Sequence, residues 1–488
     1  MVSHRKNKMC NAIAGFLFGF TALTAVPLVA SAQDTPSMEE MWHIIKEQQR
    51  EIDRLKKANG KPSRRSLDGA VVTTATAVDA DAPNDISDDP DADADAVDDL
   101  GPIEGFGDSG WWQRTSIGGY GEMHYNAGGT DEIDFHRYVL VVEHQFNERI
   151  RMFSEIELEH SLVEDTSDGS GPGELELEQA YIEIDLVQGG QCGANDDAED
   201  ANGPSPSYLA LPADCTDFGT HSLRAGVMLI PVGILNEVHE PPTFYGVERN
   251  PVENAIIPTT WWEGGVGLRG NFGSSGLSYD AMFHSGFSTP TTGSNAFKVR
   301  NGRQKVAKAV AKDSAVTGRL KYTGIPGVEL AFTAHHQFDI AQKKQDVIGV
   351  NNAVQATLLE GHTDIKREIF ENVTFGLRAL YARWVLNGGD PGLNPKLFGR
   401  ELQQGWYVEP SLRFVIGEKL GDIGFFYRHS EWDNEAGNST PTQFSQNAYG
   451  FNYWPHPDVV FKFDYQDDLH DDVTKEDDRV NLGVGFQF

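Results

Sequence analysis

The side chains in this sequence that could do chemistry are charged ones, strung along the chain at alternate positions. Arg224, Arg269, Arg319, Lys321, Arg378, Arg413, Arg428 and Lys462 each fall on the polar side of an apolar–polar alternation. Glu155, Glu157, Glu159, Glu183 and Asp185 do the same within two neighbouring segments. Facing one another across water, basic and acidic walls of this kind set up a transverse field that orients polar solutes and favours ions of one sign beside each wall. The plainer alternative is that the charges keep an interior wet and pair among themselves, and the sequence leaves both open. Catalysis finds no support. The chain has no Gly-x-Ser-x-Gly elbow, no P-loop and no His-Glu-x-x-His, and its histidines are scattered. No catalytic residue, metal or cofactor is assigned, and an enzyme is not expected.

Charges at alternate positions need strands to hold them. From Trp111 onward the chain reads as segments rich in aromatic and β-branched residues, separated by turn residues and without long helical periodicity. In the last of them Val480, Leu482, Val484, Phe486 and Phe488 alternate with Asn481, Gly483, Gly485 and Gln487. An inward Arg, Glu or Lys every few positions is costly in a dry sandwich core, where charges must be paired, and is better suited to a water-filled interior. Sixteen segments can be counted between 114–126 and 478–488. Short connectors such as 147–148, 273–275, 324–326, 417–420 and 455–457 take turns with long ones at 161–173, 231–262, 288–313, 387–401 and 433–442. An even strand count with short turns at one end and long loops at the other predicts an all-β fold, a 16-stranded antiparallel transmembrane β-barrel over 111–488. One connector breaks the rhythm: 188–220 is long where a short turn is due, so either it is an insertion on the periplasmic side or a strand before it is miscounted. It carries Cys192 and Cys215, which read as a disulfide in an oxidising compartment.

The N-terminal part supplies that compartment. Basic residues at 4–8, an apolar run over 12–30 and Ala30-Ser31-Ala32 make residues 1–32 a secretory signal peptide. Over 33–58, Met38, Met41, Ile45, Gln48, Ile52 and Leu55 keep heptad spacing, which predicts a short coiled-coil helix that self-associates to bury its seam. Residues 59–110 form an acidic linker expected to be disordered, with ten Asp between 79 and 99. The run at 89–95 lacks the Gly and closing Glu of a calcium loop and reads as a solvated spacer. A formal net charge of −33 argues against nucleic acid as a partner.

Several short stretches resemble the phosphate-selective porin O and P family. They are Gly118-Gly119-Tyr120-Gly121-Glu122, Phe135-His136-Arg137-Tyr138, Phe146-Asn147-Glu148-Arg149-Ile150, Glu178-Gln179-Ala180-Tyr181-Ile182, and Leu223-Arg224-Ala225-Gly226-Val227 followed by Pro231-Val232-Gly233. Phe488, ending an alternating strand, looks like the signal read by outer-membrane assembly machinery. The resemblance covers about residues 111 to 488. It implies a homotrimeric outer-membrane porin passing small hydrophilic solutes or ions, with inward-folded loops, contacts to lipid and lipopolysaccharide, and a coiled coil in the periplasm. Phosphate selectivity is not implied as firmly, because the barrel region holds 29 basic against 54 acidic residues. A structural protein linking membrane to cell wall, with little conductance, is the alternative.

Two loops bear on selectivity. The connector 231–262 follows the fifth strand, where porin-like barrels fold a loop into the channel. Its Glu237, His239, Glu240, Glu248, Arg249 and Glu253 would make an acidic constriction, stiffened by prolines, that favours cations or neutral solutes. His239 stands among carboxylates, yet a lone loop histidine is ordinarily neither a ligand nor a switch. Loop 288–313 is basic, with Lys298, Arg300, Arg303, Lys305, Lys308 and Lys312 placed either at a pore mouth or against lipopolysaccharide phosphates. Trp261, Trp262, Trp384, Trp406, Trp432 and Trp454, near strand ends, are expected in aromatic girdles at the membrane interface.

Overall fold

The computed structural model describes residues 110–128, 131–163, 172–189, 219–342, 353–388, 394–417, 419–439, 442–470 and 478–488. The expected signal peptide, the coiled coil, the linker up to residue 109 and the Cys192–Cys215 pair lie outside the described residues.

Period-two patterning produces strands throughout. They are β1 (Thr115–Ala127), β2 (Glu132–Gln145), β3 (Ile150–Glu159), β4 (Leu175–Val187), β5 (His221–Leu229), β6 (Trp262–Asn271), β7 (Leu277–His284) and β8 (Ala315–Ile325). There follow β9 (Val328–Gln337), β10 (Val354–Phe370), β11 (Val373–Gly388), β12 (Leu402–Gly417), β13 (Gly421–Asp433), β14 (Phe444–His456), β15 (Val459–His470) and β16 (Arg479–Gln487). Each pairs antiparallel with its neighbours in sequence, and β1 pairs with β16, so the sheet is a closed barrel of sixteen strands. Phe488 seals the seam: its amide donates to the Gly119 carbonyl at 2.9 Å and its carbonyl accepts from the Gly119 amide at 3.0 Å. Closure removes the unpaired edges that would be untenable in lipid.

Outward positions are apolar. Ile117, Leu268, Leu320, Phe332, Phe425 and Phe461 are all exposed, the surface a transmembrane barrel offers to lipid. The strand count also decides the parity question. Among the described residues four strands precede residue 188 and β4 pairs antiparallel with β5, so the chain leaves β4 at Val187 and re-enters β5 at His221 at the end of the short turns.

The connector from β5 to β6 enters the barrel and crosses it. At its neck the Asn236 amide donates to the carbonyls of Ile230 at 2.7 Å and Trp261 at 3.0 Å, while its oxygen accepts from the Trp261 amide at 2.7 Å. Beyond the neck, Trp454 donates to the Pro242 carbonyl at 3.1 Å, Asn452 to the Phe244 carbonyl at 2.9 Å, and the Val247 amide to Asp464 at 2.6 Å. Glycines on the inner face make room: a Cβ at Gly485 would lie 2.3 Å from Cβ of Pro241, and one at Gly483 would lie 3.2 Å from Val247.

The interior is not wet throughout. Ile230, Val232, Ile256, Ile257 and Trp261 of this loop pack with Phe287, Phe297 and Val299 of the β7–β8 loop against Leu358, Leu380, Trp384 and Tyr407 of the wall, forming a dry cluster beside β10 to β12. This corrects the girdle expectation for the tryptophans. Trp261, Trp262, Trp384 and Trp454 are buried inside, where Trp384 donates to the Ile256 carbonyl at 3.0 Å, while Trp406 is exposed. Trp384 and Trp454 have inward strand parity and Trp261 lies in the crossing loop, and an indole there fills space between wall and loop instead of reaching a membrane interface.

Candidate functional site

With the β10 to β12 sector packed, two polar chambers lie along the wall built by β1 to β4. The first, about 270 Å³, is toward the long-loop end. Strand alternation turns Glu122 and His124 of β1, Arg137 of β2 and Glu159 of β3 into it, with Glu176 and Glu178 of β4. The opposite side is made by the two inward loops, through Glu248, Arg249, Arg300, Arg303 and Lys305. Four carboxylates of the wall thus face four cations of the loops across the chamber, with Arg137 on the wall and Glu248 on the loop side. Arg137 donates from Nε to Glu122 at 2.6 Å, and His124 is 3.1 Å from Glu248. Lys305 pairs with Glu174 and Glu176. Arg249 and Arg303 instead bond Thr260, to its hydroxyl and its carbonyl, both at 2.9 Å, and Arg300 bonds the Asn254 carbonyl. Their charge is directed into the chamber without a carboxylate in direct contact. Burial, and then Arg303 beside it, holds the Arg300 guanidinium below its ordinary range, to about 10.

The second chamber, about 430 Å³, lies toward the short-turn end. Glu143, Glu155, Glu237, Glu240 and Asp458 are among its lining residues, and none of the lining residues is Lys or Arg. Below it Arg151, Glu183 and Arg224 line a third space of about 540 Å³, where Arg151 reaches Asp185 at 2.9 Å and Arg224 pairs with Glu183 while stacking 4.6 Å from the Tyr181 ring.

The remaining expected basic residues lie on the inner face and are mostly engaged. Arg319 pairs with Asp280 at 2.7 Å and with Glu237 of the inward loop. Arg269 stands 4.0 Å from Asp280, and Lys321 3.6 Å from Glu329. Arg378 meets Asp364 at 3.1 Å, Arg413 meets Asp422 at 2.8 Å, and Arg428 meets Glu409 at 3.1 Å. Lys462 points its Nζ at the Phe244 ring, 3.4 Å from the centroid. Glu155, Glu157, Glu183 and Asp185 are buried on the inside and Glu159 is partly so.

Two expectations change. The acidic side of the first chamber is the barrel wall and its basic side is the loops, because Arg249 joins the cluster Arg300, Arg303 and Lys305 brought inward by the β7–β8 loop. Glu253 is no wall group at all: it accepts from the amides of Ile234 at 2.9 Å and Leu235 at 2.6 Å and from the Tyr407 hydroxyl at 2.7 Å, which ties the loop to itself and to β12. Sequence reasoning passed over Glu122, His124 and Arg137, although their alternation with Met123 and Tyr138 was there to see. Glu178 had a signal too, in the alternation Glu174-Leu175-Glu176-Leu177-Glu178, but it is out of phase with Glu183 and Asp185 further along the strand. It is the extra residue of a bulge, between Glu155 opposite Gln179 and Ile156 opposite Leu177, and a bulge re-aims a side chain that strict alternation would send outward.

No protein-family model matches the chain. An uncharacterized protein of Aquifex aeolicus (strain VF5) is 36% identical over 212 residues, and the match spans 42% of this chain and 40% of that relative's length. Among solved structures, the chain is similar to Pseudomonas putida OprB, with a TM-score of 0.45 and 10% identity over 77% of this chain and 95% of that one. It is similar also to an anion-selective porin from Comamonas acidovorans (TM-score 0.44, 10% identity, 77% and 99% covered) and to the outer membrane channel DcaP of Acinetobacter baumannii (TM-score 0.43, 13% identity, 77% and 97% covered).

Proposed function

We propose that the chain is a bacterial outer-membrane channel through which small hydrophilic solutes and ions pass by passive diffusion along the β1 to β4 wall. The observation that carries this reading is the pair of charge-lined chambers inside a closed barrel whose other sector is packed dry. A wall of carboxylates opposite guanidinium groups orients polar solutes in transit, and the all-acidic second chamber makes cations the favoured ions. Phosphate-like anions would be held by Arg249, Arg300 and Arg303 but opposed at the next level. The homotrimer, the contacts to lipid and lipopolysaccharide, and an N-terminal coiled coil and acidic linker in the periplasm complete the proposal, supported by the resemblance described above. Swelling of liposomes containing the purified chain tests it: small neutral sugars are expected to enter and larger ones to be excluded. A second reading, a membrane-to-wall linker of little conductance, is favoured by the dry cluster that fills part of the barrel, and liposomes impermeable to every sugar would select it.

A further inference from the structure

Between the two chambers lies a buried group that diffusion does not require. Glu178 lines the first chamber, Glu155 and His239 the second. One donor atom from each lies within 4.8 Å of the others, and all three residues are at most 4% exposed. The His239 Nε2 is 3.7 Å from Glu178 Oε2 and 3.9 Å from Glu155 Oε1. Neither ring nitrogen of His239 reaches a hydrogen-bond partner, and neither does Glu178 Oε2. Buried polar atoms are rarely left so, and two of them, His239 Nε2 and Glu178 Oε2, stand 3.7 Å apart and mark a place where something is bound.

Charge points the same way. Glu157 is buried beside the pair, which makes three carboxylates, and the cation nearest them, Arg137, is engaged by Glu122 at 2.6 Å. Buried charges without compensation cost several kcal/mol each in real proteins, a cost that a bound cation would remove. The donors are also held in place. Tyr120 donates to Glu155 Oε1 at 3.1 Å and Gln179 to Oε2 at 2.6 Å, leaving that carboxylate a fixed orientation, and Arg137 donates to the His239 carbonyl at 3.3 Å, fixing the turn. The bulge in β4 brings Glu178 inward beside Gln179.

We propose that Glu155, Glu178 and His239 bind a divalent first-row transition-metal ion, which fastens the turn at His239 to the β3–β4 wall between the chambers. One imidazole and two carboxylates suit zinc-like ions better than calcium or magnesium, which take oxygen ligands alone. Ligands on tetrahedral zinc lie about 3.4 Å apart, so the two separations from His239 close with shifts of about half an ångström. The site does not depend on conduction; where the channel reading holds, the ion also narrows the neck.

The test is Zn²⁺ binding by isothermal titration to the folded, detergent-purified full chain after removal of metal by chelation, compared with His239→Gln and Glu178→Gln. Folding of each variant is checked by the heat-induced shift in electrophoretic mobility that intact barrels show. The result expected is one Zn²⁺ equivalent per chain that both folded variants lose or bind at least about tenfold more weakly, with a Zn²⁺-dependent rise in melting temperature in the unchanged chain only. Titrations that coincide for all three folded proteins would overturn the proposal and assign any zinc to other groups, such as Asp134, His136 and His160 near the long-loop end. Tight binding of Ca²⁺ with none of Zn²⁺ would overturn the histidine as a ligand. The channel reading fails separately, through impermeable liposomes.

Discussion

Arg428 and Glu409 show what a charge inside this barrel requires. Both are buried and their side chains meet at 3.1 Å, an arrangement stable only while both partners are present. Replacing Arg428 by Ala takes from Glu409 its hydrogen-bonded partner and leaves only Arg378, across the β11–β12 ladder, as a nearby cation; it is expected to cost about 3 kcal/mol, read as a lower urea midpoint for unfolding from lipid vesicles. The double variant Arg428→Leu with Glu409→Leu should recover most of that loss, whereas a single variant as stable as the parent would show the pair to be solvated. Arg300 and Arg303 act differently, since their guanidinium groups bond backbone carbonyls and face the first chamber. Removing both as Arg300→Ala with Arg303→Ala should lower the anion share of the current severalfold and leave stability little changed; an unaltered reversal potential would remove them from the ion path. Much at this scale was legible in the sequence, because alternation alone places Arg319, Arg428 or Glu157 on the inner face. Pairing was not legible, since Glu237 meets Arg319 only after a loop has crossed the barrel, and the phase change at the β4 bulge, which turns both Glu178 and Gln179 inward, breaks a single period-two rule for the strand.

Among the elements, the inward loop is the one on which the site depends. It is seated by glycines on the inner face of β16, and Gly485→Val would drive a side chain into Pro241, whose Cβ lies 2.3 Å from the position of the first added carbon. The strand itself tolerates valine, so the expected result is an assembled barrel with a displaced loop, seen as altered conductance and faster protease cleavage within 231–262. A variant indistinguishable from the parent in both would mean that the loop is not seated there. The strands were readable because one face is apolar and the other polar or small. Where that contrast fades the reading stops early: β10 extends to Phe370 through Lys366, Arg367 and Glu368, beyond the expected end at 364, since the ladder to β11 continues whatever the side chains. The two inward loops carry no period, and their prolines and basic residues gave their composition without their destination. For the same reason Trp384 was placed at an interface when its indole is a prop for the loop.

For the molecule as a whole, sixteen strands close on themselves, two loops pack one sector dry, and a charged path is left along β1 to β4. The proposed trimer belongs to this scale. If barrel surfaces dominate its interface, deleting residues 38–58 should weaken trimers only modestly on native gels, and their complete loss would place the interface in the coiled coil instead. The central claim is that the path is open and prefers cations, and the most direct measurement is single-channel recording of the purified full chain in a planar bilayer under a potassium chloride gradient. Discrete openings with a reversal potential of the sign set by cations, which added phosphate does not reverse, are the result predicted. Openings reversed in sign and blocked by phosphate, or silence from verifiably folded protein, would contradict it.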